Sequence, residues 1–390
     1  MQLTEKQKSE GWRIVKFGDV AQEVKASTKD PLGEGIERYI GLEHIDPESL
    51  RLARYGLIAE DNSTFTKKFS AGDILFGRRR AYLKKAAVAD FDGICSGDIT
   101  VIAPKGEDLV PDLLPFIVQS EPFFDWAVKH SAGGLSPRTK FKSLAEFKFP
   151  LPPRPRQEEI LSVLNKGLES LDKVLAAISS ARTLKRVTIS KVFSYTSKTH
   201  TDLRRTIFSD VTEIVSGQVD PKIEPYYAMP HVAPDNMEQQ TGRLLAYNTA
   251  EQDGITSGKY LFDKNWILYS KIRPNLRKLC FPKFEGVCSA DVYPIRGKNG
   301  LTTEYLFYLM QSEHFNQYAV SVSMRSGFPK INRDDLGAYK LLIPDEEYQK
   351  TNCSALIQID REYDALVTHM NKINRNNSKI TNTLIFKEAA

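Results

Sequence analysis

Residues 72–98 of this chain recur as residues 265–291 without an insertion. Gly72-Asp73-Ile74-Leu75-Phe76-Gly77-Arg78 stands against Asn265-Trp266-Ile267-Leu268-Tyr269-Ser270-Lys271. Gly93-Ile94-Cys95-Ser96 stands against Gly286-Val287-Cys288-Ser289. The displacement, 193 positions from Gly72 to Asn265, is far longer than the few tens of residues of a solenoid unit. The repeat is therefore a duplicated domain, and whatever fold one half adopts the other must adopt as well. A chain of 390 residues has room for two such domains, each with its own core.

The match runs beyond that stretch. Phe17-Gly18-Asp19-Val20 recurs as Phe208-Ser209-Asp210-Val211, and His44-Ile45-Asp46-Pro47 as His231-Val232-Ala233-Pro234. Gln119-Ser120-Glu121 recurs as Gln311-Ser312-Glu313, and Leu144 through Pro152 as Leu336 through Pro344. Within each copy the apolar runs are short, rich in Ile, Val, Phe and Tyr, and bounded by Gly, Pro and Asp, which favours strands. Leu113–Val128 and Thr303–Val320 read as helices, so each copy is mixed α and β.

Each copy is followed by a different pattern. Leu161, Leu164, Leu168, Leu171, Leu175 and Ile178 alternate spacings of three and four. Leu356, Ile359, Tyr363, Leu366, Met370, Ile373, Ile380 and Leu384 keep the same rhythm, with Asn377 at the one polar seam position. These are heptads of helices that coil on a partner, and two such helices in one chain can satisfy each other as an antiparallel pair. The expected fold class is α+β: two similar mixed domains separated by two long helices in an antiparallel coiled coil with pseudo-two-fold symmetry. The expected boundaries are 1–155 for the first domain, 156–197 for the central helix, 198–345 for the second domain and 346–390 for the distal helix. At 1.5 Å per residue, 35 residues make a rod of about 50 Å.

The rest of the sequence excludes more than it asserts. No apolar run approaches the length of a membrane span, and the polar start lacks a signal-peptide core, so the cytoplasm is the expected compartment. The four cysteines, Cys95, Cys280, Cys288 and Cys353, read as small buried hydrophobes on strands. The histidines and cysteines show no metal-ligand spacing. Gly254 to Lys259 falls one residue short of a phosphate loop, and Tyr260 stands where the metal-binding hydroxyl belongs. No nucleotide-binding glycine pattern, nucleophile elbow or amino-methyltransferase tetrapeptide occurs. The chain is expected to hold no cofactor and to catalyse nothing alone.

Net charge is only +5, so the distribution of charge matters more than its sum. Arg78, Arg79, Arg80, Lys84 and Lys85 lie within eight residues, with Tyr82 among them. Lys271, Arg273, Arg277 and Lys278 occupy the same place in the second copy, with Asn275 where Tyr82 stood. A second basic run holds Arg138, Lys140 and Lys142, and its counterpart holds Arg325, Lys330, Asn332 and Arg333. One charge run is usually a solvated face; two at matching positions in both copies point to phosphate contacts and base reading.

With these motifs in order, the sequence resembles the DNA-specificity subunit of Type I restriction–modification systems over essentially its full length. Phe17-Gly18-Asp19-Val20 resembles the family's domain entry, and Gly72-Asp73-Ile74-Leu75-Phe76 with Arg78 its strand and basic loop. Gly133-Gly134-Leu135-Ser136-Pro137 resembles its glycine-to-proline loop, and Phe149-Pro150-Leu151-Pro152-Pro153 with Gln157 its exit into the central helix. The second copy departs at Asn265-Trp266 and at Ile343-Pro344-Asp345-Glu346. The resemblance implies two target-recognition domains on double-stranded DNA and a bipartite target. The differences between the copies predict an asymmetric one, and a rod of about 50 Å sets at most roughly 15 base pairs between domain centres. The resemblance further implies that the helices carry two methyltransferase subunits and, through them, restriction subunits. S-adenosylmethionine, ATP and magnesium would belong to those partners. The readings that compete with it are a coiled-coil scaffold with two protein-binding heads and a specificity chain of a methylation-only or other defence system.

Overall fold

A computed structural model describes residues 2–52, 54–134, 136–194, 203–323 and 329–387. The chain divides into two compact units, residues 1–176 with 367–390, and residues 177–366. Each unit thus holds one globular copy, half of the central helix Arg154–Phe193 and half of the distal helix Glu346–Thr381.

After a short helix, Glu5–Ser9, the first unit pairs Arg13–Lys16 antiparallel to Lys148–Leu151, which ties its beginning to its exit. A four-stranded antiparallel sheet runs in the order Ala21–Glu23, Ile99–Pro104, Ile74–Gly77, Ala86–Val88. A second sheet runs Gly56–Leu57, Arg38–Ile40, Gly93–Cys95, Lys67–Phe69, with its middle pair parallel. The second unit repeats all three sheets in the same order, from the Arg204–Ile207 pairing with Lys340–Ile343 onward. The cores repeat too. Phe17 packs on Phe123 at 4.7 Å between ring centroids and Phe76 on Phe123 at 5.8 Å. Phe208 and Tyr269 converge on Phe315 at 6.1 and 5.9 Å.

One mismatch between the copies is compensated in three dimensions. Gly18 lies so close to Ala145 that an added Cβ would meet the alanine Cβ at 2.9 Å. In the second unit Ser209 carries that Cβ, and Gly337 stands opposite it. The small residue has changed sides, and the close approach of the two short helices survives.

Several sequence expectations are refined or corrected. The stretches 113–128 and 303–320 are helical as expected, each as two helices, Leu114–Val118 with Glu121–Lys129 and Thr303–Leu309 with Glu313–Ser323. Ser120 and Ser312 cause the breaks, because each hydroxyl caps the helix that follows. Cys95, Cys280 and Cys288 are buried on strands, but Cys353 is buried on the distal helix. His44 and His231 are not equivalent. The strand pairing sets Tyr39 against Ile94 and His231 against Val287, so Tyr39 holds the place of His231. Tyr39 donates to Asp61, and His231 pairs with Asp253 at 2.8 Å. His44 instead accepts the Gly41 N–H as a turn cap, and Asn236 does the same for Ala233.

The helices pack antiparallel within each unit. In the first, Gly167 faces Asn377 so closely that a Cβ on the glycine would overlap the amide. In the second, Arg182 meets Tyr363, Lys185 meets Asp360 and the Val192 carbonyl meets Tyr348, so one number rises as the other falls. Leu164, Leu171, Ile178, Leu356, Tyr363 and Ile373 are buried; Leu161, Leu168, Leu175, Ile359, Leu366, Met370, Ile380 and Leu384 are half-buried. Ile160, Val174, Ile189 and Val192 complete the buried stripe of the central helix. Beyond Thr381 the chain continues as a π-helical turn, Asn382–Lys387, which seats Phe386 6.2 Å from the Phe147 ring. Among the described residues no helix is long and apolar enough to cross a membrane.

Each exit into a long helix is held by one buried glutamine. Gln157 accepts the Val110 N–H and donates to the carbonyls of Asp108 and Pro152. Gln349 accepts the Thr302 N–H and donates to the carbonyls of Gly300 and Pro344. Gln157→Leu strips those backbone groups of their partners and is expected to cost about 2 kcal/mol, read as a lower urea midpoint.

Candidate nucleic-acid interface

The basic loop leaves the strand Ile74–Gly77 and is stitched to the second basic run by its own backbone. The Arg78 N–H donates to the Asp98 carbonyl at 2.9 Å, and the Thr139 N–H to the Arg78 carbonyl at 2.9 Å. The Arg80 N–H donates to Pro137 at 2.8 Å. The second unit makes the same bonds: Lys271 to Asp291 at 3.0 Å, Ile331 to Lys271 at 2.9 Å, Arg273 to Pro329 at 2.9 Å. In both loops a single 3-10 turn, Ala81–Leu83 or Pro274–Leu276, is flanked by two left-handed residues. These are Arg80 and Lys84 at φ +53° and +49°, and Arg273 and Arg277 at +47° and +48°. None is glycine, so each is strained, and the surrounding bonds hold it in place.

Many of the cations named from sequence are committed to this frame. Lys85 donates to the Leu42 carbonyl at 2.7 Å and Lys278 to the Pro234 carbonyl at 2.8 Å. Burial pulls the Lys85 ammonium below its usual pKa. Lys84 pairs with Glu48 and Glu121 at 3.6 and 3.5 Å, and Arg277 pairs with Glu313 at 2.5 Å. Asp98 accepts Arg138 at 2.7 Å and Arg79 at 3.3 Å, and these guanidiniums, Arg138 first, hold its carboxyl below the usual range. Arg79 also donates to the Ser136 hydroxyl. In the second unit Asp291 stands between Lys271 at 3.9 Å and Lys330 at 3.6 Å. Burial lowers the Lys271 pKa, and its ammonium lies over the Tyr293 ring. Arg333 donates to the carbonyls of Ile214 and Val215, and Asn332 caps the helix Arg333–Gly337. Arg325 lies outside the described residues.

What each loop presents outward is short. The first presents Arg80, Tyr82 and Leu83, with Lys140 and Lys142 exposed on the stitched run. The second presents Arg273 and Asn275, with Lys330 on its run. Half-buried Arg78 keeps an Nε that has no hydrogen-bond partner among the described residues. Asp98, Asp291, Glu121 and Glu313, which fix the geometry, were visible in sequence only as members of the repeat. The pairing of both basic runs through one aspartate had no signal there.

The comparisons with known proteins agree with this architecture. The family model for the Type I restriction modification DNA specificity domain matches residues 9–181 and 207–375. The chain belongs to that family and carries its domain twice. It is similar to the Type I restriction enzyme EcoDI specificity subunit of Escherichia coli, with 33% identity over 180 residues. That match spans 46% of this chain and 40% of the relative, less than half of its length. The fold is similar to that of the Type I restriction–modification S subunit from M. genitalium, at a TM-score of 0.51 and 11% identity over 99% of both chains. It is also similar to a chain from a structure titled for the complex assembly and conformational transition of the type I R-M system. There the TM-score is 0.50 and the identity 18%, over 98% of both chains.

Proposed function

We propose that this chain is the DNA-reading subunit of a Type I restriction–modification assembly, and that each unit recognises one half of a bipartite, asymmetric target. The observation that carries this reading is the loop itself. One backbone frame, with the same stitches and the same paired left-handed residues, presents Arg80 and Tyr82 in one unit and Arg273 and Asn275 in the other. A rigid frame with different outward side chains suits reading two different sequences. Arg80 and Arg273 are placed to meet guanine edges or phosphates, and Asn275 suits the two-pronged bond to adenine.

Methylation and cleavage belong, in this reading, to partner subunits, two methyltransferases and the restriction subunits they carry. S-adenosylmethionine, ATP and magnesium would be bound there. The domain limits at 155 and 345 and the four-part division follow from the same proposal.

Mapping methylated adenines in host DNA with and without the chain tests it. The expected result is one bipartite motif that disappears with the chain. Asn275→Ala should relax one half-site by about 1–3 kcal/mol and leave the other intact. Loss of discrimination at both half-sites would sink the modular reading.

A further inference from the structure

We propose that the tip of the first loop is a wedge that unstacks one base step of its half-site, whereas the tip of the second loop is not; this rests on the DNA-reading function above. Tyr82 and Leu83 are adjacent, and they are 55% and 40% exposed. An exposed apolar side chain alone is ordinary on a protein surface. Two in succession at the summit of a basic loop are different, because a loop that only bound phosphates would carry polar residues there. The second tip is built that way: Pro274 is buried, Leu276 half-buried, and Asn275 alone projects.

A wedge has to be stiff, since a mobile tip would fold back rather than part stacked bases. The Leu83 N–H donates to Arg80 at 2.9 Å and the Lys84 N–H to Ala81 at 3.0 Å, while Glu48 N–H holds the Lys84 carbonyl at 3.0 Å. Ala81, beneath the tip, is 3% exposed. The left-handed conformations of Arg80 and Lys84 fix the turn that carries residues 82 and 83. Arg80 beside the tip supplies the positive charge that draws it to the duplex. Aromatic stacking on a base and apolar insertion at a step are the contacts such a tip can make.

Unstacking is easiest at pyrimidine–purine steps, so the half-site read by the first unit should contain TA or CA under the wedge. The second half-site carries no such requirement.

The test uses the full chain and duplexes of its mapped target, with 2-aminopurine placed singly along each half-site and no methyltransferase present. Fluorescence is expected to rise several-fold at one position of the first half-site and nowhere in the second. Tyr82→Ala should abolish the rise while affinity falls by about tenfold, and Tyr82→Phe should restore it. If wild-type chain binds the duplex without any rise, the wedge is wrong and the reading function stands. If the chain shows no preference for its mapped target over unrelated DNA, the reading function fails first and the wedge with it.

Discussion

Asp360→Ala is expected to destabilise the second unit by about 3–5 kcal/mol, because it leaves a buried ammonium without its counter-ion. Lys185 sits on the central helix with only 11% of its side chain exposed, 2.7 Å from Asp360. Its Nζ also donates to the Thr241 carbonyl at 2.7 Å, and Tyr308 donates to the other Asp360 oxygen at 2.9 Å. Removing the carboxylate takes that acceptor from the Tyr308 hydroxyl and leaves the Lys185 ammonium on a neutral carbonyl. Adding Lys185→Met to the same chain should recover most of the loss, since a buried ion pair replaced by apolar groups is often neutral. Urea unfolding of the single and double variants separates the two cases. The pH dependence has a defined sign. Burial lowers the Lys185 pKa below 10.5 although Asp360 and Asp364 oppose it, and Arg243 reinforces the lowering. The unfolded chain therefore binds the proton more tightly, and stability rises with pH between the folded value and 10.5. Without Asp360 the folded value drops further, so the rise should begin at lower pH.

This pair also explains part of what sequence could not say about the helices. A heptad pattern selects apolar residues, so it passes over a lysine at a seam position and prefers Leu175 to Val174. Burial follows the partner surface instead: Val174 is buried and Leu175 half-buried. Across the repeat, Lys185 is to the second unit what Asn377 is to the first, each a polar group at the same place in the seam. Asn377 was readable because it interrupts a row of hydrophobes; Lys185 lies beyond the last leucine of the row. The duplication itself was fully legible, since matched apolar runs must form matched strands, and the sheets have the same strand order in both units. Equivalence failed where a side chain serves the backbone. The two histidines matched as letters, but one caps a turn and the other is buried on a strand.

The basic runs show the same effect more sharply. Their Arg and Lys residues look interchangeable in sequence, yet they are divided by backbone carbonyls, by one aspartate per unit and by Glu48, Glu121 and Glu313. Lys85 and Lys278 are tied to the carbonyls of Leu42 and Pro234, atoms that no sequence pattern marks. The candidate interface is therefore smaller than the charge runs suggest, and its members are the residues the frame leaves pointing outward.

That division gives the largest expected effect on binding. Arg80→Ala, Lys140→Ala and Lys142→Ala together remove three exposed cations of the first unit while sparing the ion pairs of Asp98. Every phosphate-binding cation deleted takes about one unit off the logarithmic salt dependence, so the slope should become shallower by about three. At 0.15 M salt this corresponds to about a hundredfold weaker affinity for unrelated DNA. The weakening on the target should exceed that on unrelated DNA if Arg80 reaches a base edge, because that bond carries sequence information and phosphate contacts do not. Lys85→Ala with Lys278→Ala is the contrasting pair. It removes two positive charges that are already committed inside the frame, so it should lower the unfolding midpoint and leave the salt slope nearly unchanged. Salt titrations of both variants by fluorescence anisotropy decide the matter. Equal slopes for wild type and the triple variant would mean that the exposed cations of the first unit do not meet DNA, and that the interface lies on another face of the unit.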